Sequence, residues 1–145
     1  MKWLKIDLEK EYVIGTWSYV TLTSSEMIVD SASGSSLDMT IANSELKAID
    51  MALRGIRLYL KDKKIPLHTV SIELYSDSKF SVQAFNKFIK VWRKNANTEG
   101  KWIKSNNEPV VNQHEFERIL HLMKDFRSIT VCHISAHKGF TIMKW

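Results

Sequence analysis

Between Ser71 and Asn86 the chain changes its hydrophobic period in a single step. Ile72 to Ser76 runs apolar or alternating, as a β-strand does. From there Phe80, Val82, Phe85 and Phe88 recur at helical spacing. Asp77 stands at the junction. A strand that feeds directly into a helix calls for a sheet covered by helices. The junction residue is then held by rigid backbone at the strand tip, yet open to solvent. A carboxylate in that place suits a metal ligand or a general base. It also suits the ordinary task of capping the helix that follows.

The remaining chain sorts by the same periods. Trp3 to Glu9 alternates, with Leu4, Ile6 and Leu8 on one side and Lys5, Asp7 and Glu9 on the other, as in a half-buried strand. Thr16 to Leu22 forms a second strand with Trp17, Tyr19 and Thr21 on one face. Thr23 to Glu26 is a turn, Met27 to Ser33 a third strand, and Ser33-Gly34-Ser35-Ser36 closes it. Three strands joined this closely make an antiparallel meander. From Ala42 to Leu60 the period becomes helical: Leu46, Ile49, Leu53, Ile56 and Leu60 form one stripe, with Thr40 or Asn43 as cap and Glu45 in the first turn. A fourth strand runs from Thr69 to Tyr75. A helix with Phe116, Ile119, Leu120 and Met123 on one face spans His114 to Asp125, and a fifth strand runs from Ser128 to Ser135. Helices alternating with strands after an opening meander predict an α/β fold, a mixed sheet flanked by helices.

Bulk properties bound the partners. At 145 residues one domain over 1–145 is expected, and 44% hydrophobic residues suffice for a core. Lys plus Arg number 21 against 16 Asp plus Glu, a basic excess that fits a polyanion. The only cysteine, Cys132, excludes an internal disulfide and points to a reducing, cytoplasmic setting. No signal-like leader and no membrane-length apolar run is present. The positive charge is concentrated late: Lys87, Lys90, Arg93, Lys94, Lys101 and Lys104 surround Trp92 and Trp102, with Glu99 the only acid among them. Such a segment can neutralise phosphates and lay flat rings against sugars or bases. Alternatively the basic residues only solvate a helix that the two tryptophans anchor.

Carboxylates collect at the predicted strand tips. If the first and fourth strands are parallel neighbours, Asp7 and Asp77 converge, and the long helix brings Glu45 over them. Clustered carboxylates are tolerated around a divalent cation, and hard oxygen donors select Mg²⁺ or Mn²⁺. Two such ions can activate a water and stabilise a leaving 3′-oxygen in phosphodiester hydrolysis. His137, on a Gly-containing loop, is placed to assist proton transfer. Each residue also has a plain structural reading: Asp7 as a polar alternate, Glu45 as a helix-dipole partner, Asp77 as a cap, His137 as a loop residue.

Order and residues together resemble the ribonuclease HI family, over most of the chain and most closely from Asn43 onward. Asn43-Ser44-Glu45-Leu46-Lys47-Ala48 is similar to the family's acidic helix start, and Tyr75-Ser76-Asp77-Ser78 to its (T/S)DS strand end. Phe88 to Lys94 followed by Lys101-Trp102 resembles its basic protrusion. Pro109-Val110-Val111-Asn112 with Phe116 resembles its PV-N loop, and Ala136-His137-Lys138-Gly139 its histidine loop. The resemblance implies a five-stranded sheet of order 3-2-1-4-5, dependence on Mg²⁺ (or Mn²⁺), and cleavage of the RNA strand of RNA/DNA hybrids. It assigns metal binding to Asp7, Glu45 and Asp77, catalysis to these and His137, and hybrid binding to Lys90, Trp92, Arg93, Lys94, Lys101, Trp102 and Asn112. The chain departs from the family in two places. Asp7 is followed by Leu8-Glu9-Lys10 rather than Gly-Ser. Phe140 to Trp145 holds no acid where the family places a fourth carboxylate, and no closing helix is expected. The other implied role is that of a catalytically impaired module that binds nucleic acid or a protein partner.

Overall fold

The computed structural model describes residues 14–37, 41–135 and 140–145. Strand β1 (Ile14–Leu22) pairs antiparallel with β2 (Ile28–Leu37). Helix α1 (Ile41–Asp62) follows, then a single 3₁₀ turn (Leu67–Thr69) and β3 (Ser71–Ser76). The chain then forms α2 (Lys79–Gln83), a wider turn of helix (Ala84–Phe88) and α3 (Ile89–Lys94). Helix α4 (Gln113–Met123), β4 (Ser128–His133) and β5 (Phe140–Lys144) complete it.

The sheet is five-stranded and mixed, in the order β2-β1-β5-β3-β4. The two outer pairs sit where the sequence places them: the meander on one side, Ser71–Ser76 and Ser128–His133 on the other. Phe140–Lys144 holds the middle place, parallel to β1 and antiparallel to β3. It fits there because Thr141 and Met143 are buried. The segment Trp3–Glu9, expected in that place, lies outside the described residues.

Helix α1 is the main cover of the sheet, and it packs on β1, β2 and β5. Leu46, Ile49, Leu53, Ile56 and Leu60 are each 1% exposed or less, so the predicted stripe is the buried one. Beneath it lie Tyr19, Ile72, Leu74 and Met143. Each fully buried aliphatic side chain contributes about 1.5–3 kcal/mol.

Two glycines make close packing possible. Gly34 lies directly across from Trp17, and a Cβ on it would meet the indole at 2.5 Å. This is why β2 runs on to Leu37 instead of ending at the expected Ser-Gly-Ser-Ser turn: the small residue lets the ring lie over the strand. Gly55 on α1 faces the Tyr19 hydroxyl, which donates to Asp30 Oδ2 at 2.8 Å. A Cβ on Gly55 would stand 2.7 Å from that hydroxyl and collide with the Asp30 carboxylate. Among the described residues no helix is long and apolar enough to cross a membrane.

Replacing Gly55 by Ala tests this contact. Helix propensity alone predicts a gain of about 1 kcal/mol. The collision predicts a net loss of about 1–2 kcal/mol, as overpacking does. Urea unfolding of Gly55→Ala beside the parent protein decides the sign.

Candidate nucleic-acid and metal site

At the tip of β3 three serines shape the junction. Ser78 N–H donates to Ser76 Oγ at 3.1 Å. Ser78 Oγ accepts from Ser81 N–H at 3.1 Å and pairs with the Ser81 hydroxyl at 2.8 Å. Ser78 is therefore the N-cap of α2, and the capping role considered for Asp77 belongs to its neighbour. Asp77 occupies the bend between strand and helix. It is half-buried, and both its carboxylate oxygens are shielded from solvent. Its backbone carbonyl accepts a hydrogen bond from His133 Nε2 at 3.2 Å. The parallel register that sets Ser76 beside His133 brings that ring to the tip.

Glu45 lies on α1 between buried Ser44 and Leu46 and is itself half-buried. The helix begins at Ile41, so Glu45 falls one turn further in than expected and Asn43 is inside the helix rather than its cap. Thr40 lies outside the described residues. Helix α1, which carries Glu45, also packs on α2, the helix that begins two residues after Asp77. Asp7 and His137 lie outside the described residues. Among the described residues no three His, Cys, Asp or Glu side chains gather closely enough to hold a metal ion. The two carboxylates that are described offer hard oxygen donors, the type that Mg²⁺ and Mn²⁺ take.

The basic segment is built on buried aromatics. Trp92 and Trp102 are 6% and 5% exposed, so the expectation that their rings lie against sugars and bases gives way to the anchoring role. Trp92 meets Phe116 edge-on at 5.7 Å and Phe88 at 5.8 Å. Arg93 lays its guanidinium 5.3 Å over the Trp102 ring. Lys90, Arg93, Lys94 and Lys101 remain exposed. The Lys101–Glu99 pair, 3.8 Å apart and largely in solvent, contributes at most about 1 kcal/mol.

The loop after α3 is tied to α4 by Gln113. Its Oε1 accepts from Trp102 N–H at 2.8 Å, and its Nε2 donates to the Gly100 carbonyl at 3.0 Å. Asn112, just ahead of it, is left-handed at φ 69° and makes no capping bond. Beside these residues lies a cleft of about 450 Å³, lined by Lys101, Pro109, Asn112, Gln113 and His114 among others.

Four contributors escaped the sequence reading. Ser78 was visible as a serine three residues ahead of Ser81, the spacing of a capping pair. Phe80, assigned to the apolar face of its helix, is 49% exposed and stacks obliquely on Phe88 and Trp92. For Gln113 and His133 only the tertiary register brings out the role.

A mixed five-stranded sheet, carboxylates on its tip and covering helix, and a basic segment over buried aromatics define the ribonuclease H class of fold. The RNase H family model matches residues 10–143, and the chain belongs to that family. It is similar to the Ribonuclease H of Rickettsia massiliae (strain Mtu5), 35% identical over 86 residues, which is 59% of this chain and 47% of the relative. The Ribonuclease HI of Rickettsia conorii gives the same figures. The Ribonuclease H of Caldanaerobacter subterraneus subsp. tengcongensis is 32% identical over 111 residues, 76% of this chain and 61% of its own length. The chain thus spans about half the length of the Rickettsia relatives it matches.

The anchoring role of Trp92 has a measurable consequence. Trp92→Ala is expected to cost about 3–5 kcal/mol in stability, whereas Lys94→Ala, on the exposed side of the same helix, stays within about 0.5 kcal/mol. Chemical denaturation of the two variants makes the comparison.

Proposed function

We propose that this chain is a ribonuclease HI-type endonuclease that cleaves the RNA strand of RNA/DNA hybrids. The observation that carries the reading is the coincidence of the family match over residues 10–143 with Glu45 on α1, and Asp77 in the bend that leads into α2, a helix that packs on α1. Glu45, Asp77 and Asp7 hold Mg²⁺ or Mn²⁺. When bound, such an ion lowers the pKa of a water and offsets charge that develops on phosphate oxygens. Asp77 is suited to its part because its carboxylate sits on a strand end braced by Ser76, Ser78 and His133, so little reorganisation is needed. His137 moves a proton at the scissile phosphate.

Lys90, Arg93, Lys94 and Lys101 meet the phosphates of the hybrid. Trp92 and Trp102 hold these residues in place from beneath. Phe80, exposed and three residues from Asp77, supplies the flat apolar surface that the buried indoles cannot. Asn112 presents its amide from the left-handed turn ahead of α4.

The test is cleavage of a labelled RNA/DNA hybrid in Mg²⁺ and in Mn²⁺. Glu45→Gln and Asp77→Asn are each expected to lower the rate by about a hundredfold or more, the scale of losing one preorganised charge-stabilising group. Absence of cleavage by the parent protein in both metals would remove the enzyme reading. Hybrid binding without cleavage would leave the non-catalytic module. In either case Lys94→Ala and Lys101→Ala should weaken binding and reduce the salt slope by about one unit for each phosphate that is no longer neutralised.

A further inference from the structure

The contact between α1 and α4 holds an acidic pair that the proposed chemistry does not use. Asp50 is fully buried on α1. Its Oδ1 accepts from Arg54 Nε at 2.6 Å, and its Oδ2 lies 3.7 Å from Arg118 Nη1 on α4. The same Arg118 nitrogen is 3.5 Å from Glu115 Oε2. Asp50 Oδ2 and Glu115 Oε1 are both shut off from solvent, and neither accepts a hydrogen bond from any described group. The two carboxyls thus converge on one Arg118 nitrogen, one from each helix.

Two carboxylates cannot satisfy one another, because neither has a hydrogen to give. A single proton between them turns one into a donor and relieves the repulsion. We propose that Asp50 and Glu115 share a proton, and that this proton fastens α4 to α1 as a pH-sensitive clasp.

The charged groups facing Glu115 are Lys47, Asp50 and Arg54 from α1 and Arg118 from its own helix. Lys47 and Arg118 favour ionisation. Burial, and then Asp50, outweigh them and push the Glu115 carboxyl up from 4.5 to about 7. Between these values the folded chain keeps a proton that the unfolded chain has released. The clasp's stabilisation is therefore complete below about 4.5 and is lost progressively as pH rises from there through about 7. Asn112 and the cleft beside it lie at the start of α4, so a loosened α4 loosens them too.

Thermal unfolding of the full chain from about pH 4 to about pH 9, beside Glu115→Gln, tests the clasp. A glutamine offers Asp50 a donor at every pH, and the Glu115 side chain is 21% exposed, so the substitution is tolerated. The two proteins should melt together at the acid end. At the alkaline end the parent should melt about 4 °C below the variant, with faster amide exchange in α4 than in α1. His114 and His121 are exposed and common to both proteins, so they do not distinguish them. Parallel melting profiles would overturn the proposal, as would a parent protein that is the more stable at high pH. A second measurement needs no variant: the Glu115 carboxyl carbon, followed by NMR, should titrate near 7, and a midpoint near the ordinary 4.5 would refute the shared proton.

Discussion

The burial of one face of α1 against the sheet is the interaction on which the other features depend. The helix spans Ile41–Asp62, and its stripe from Leu46 to Leu60 closes over Tyr19, Ile72, Leu74 and Met143. A helix fixed along its length by that many buried side chains has one rotational setting, since turning it by one residue exposes the stripe. Everything attached to it inherits that setting. Glu45 is held between the buried side chains of Ser44 and Leu46. Asp50, one turn on, must face the interior. Gly55 must come close to the Tyr19–Asp30 hydrogen bond, where no larger residue fits.

The tip of β3 shows a different kind of positioning, made by short polar side chains rather than by apolar area. Ser76, Ser78 and Ser81 are nearly fully buried, and they satisfy one another while the chain turns from strand into helix. Buried hydroxyls that pair within a few residues fix the backbone locally with little demand on the wider core. Asp77 lies inside this short network and owes its position to it. The His133 hydrogen bond to its carbonyl adds a brace from the next strand.

Much of this was legible in the sequence, because helix and strand periods report burial and burial is what the fold enforces. The stripe on α1, the strands at Tyr19 and Leu74, and the Phe116–Ile119 face of α4 all followed from period alone. The failures share a cause. The turn read at Ser33–Ser36 was overridden by Trp17, which needs Gly34 opposite it. Phe140–Lys144 carries too short an alternation to declare itself, and only the sheet shows that it pairs with β1 and β3. For Trp92 and Trp102 the sequence left stacking on a ligand and anchoring both open, and their burial in the fold decides for anchoring. In the site, Glu45 and Asp77 stood out because each interrupts or ends a regular pattern. Asp7 and His137 lie outside the described residues, so their place in the site rests on the resemblance.

Asp50 shows what a regular pattern conceals. It lies four residues after Leu46 and three before Leu53, on the apolar stripe itself. An acid there breaks the hydrophobic face, and a fully buried carboxylate is costly unless it is paired and hydrogen-bonded. Arg54, one turn on, supplies one partner from within the helix. That bond leaves Oδ2 unsatisfied, and the remaining partners come from α4, where Arg118 and Glu115 face the same point. A hydrophobic residue at position 50 would pack against α4 in several ways with similar energy. A buried acid that needs a cation and a proton from that helix accepts far fewer. The charge cluster thus fixes the placement of α4, and with it the turn at Asn112, more narrowly than apolar contact would.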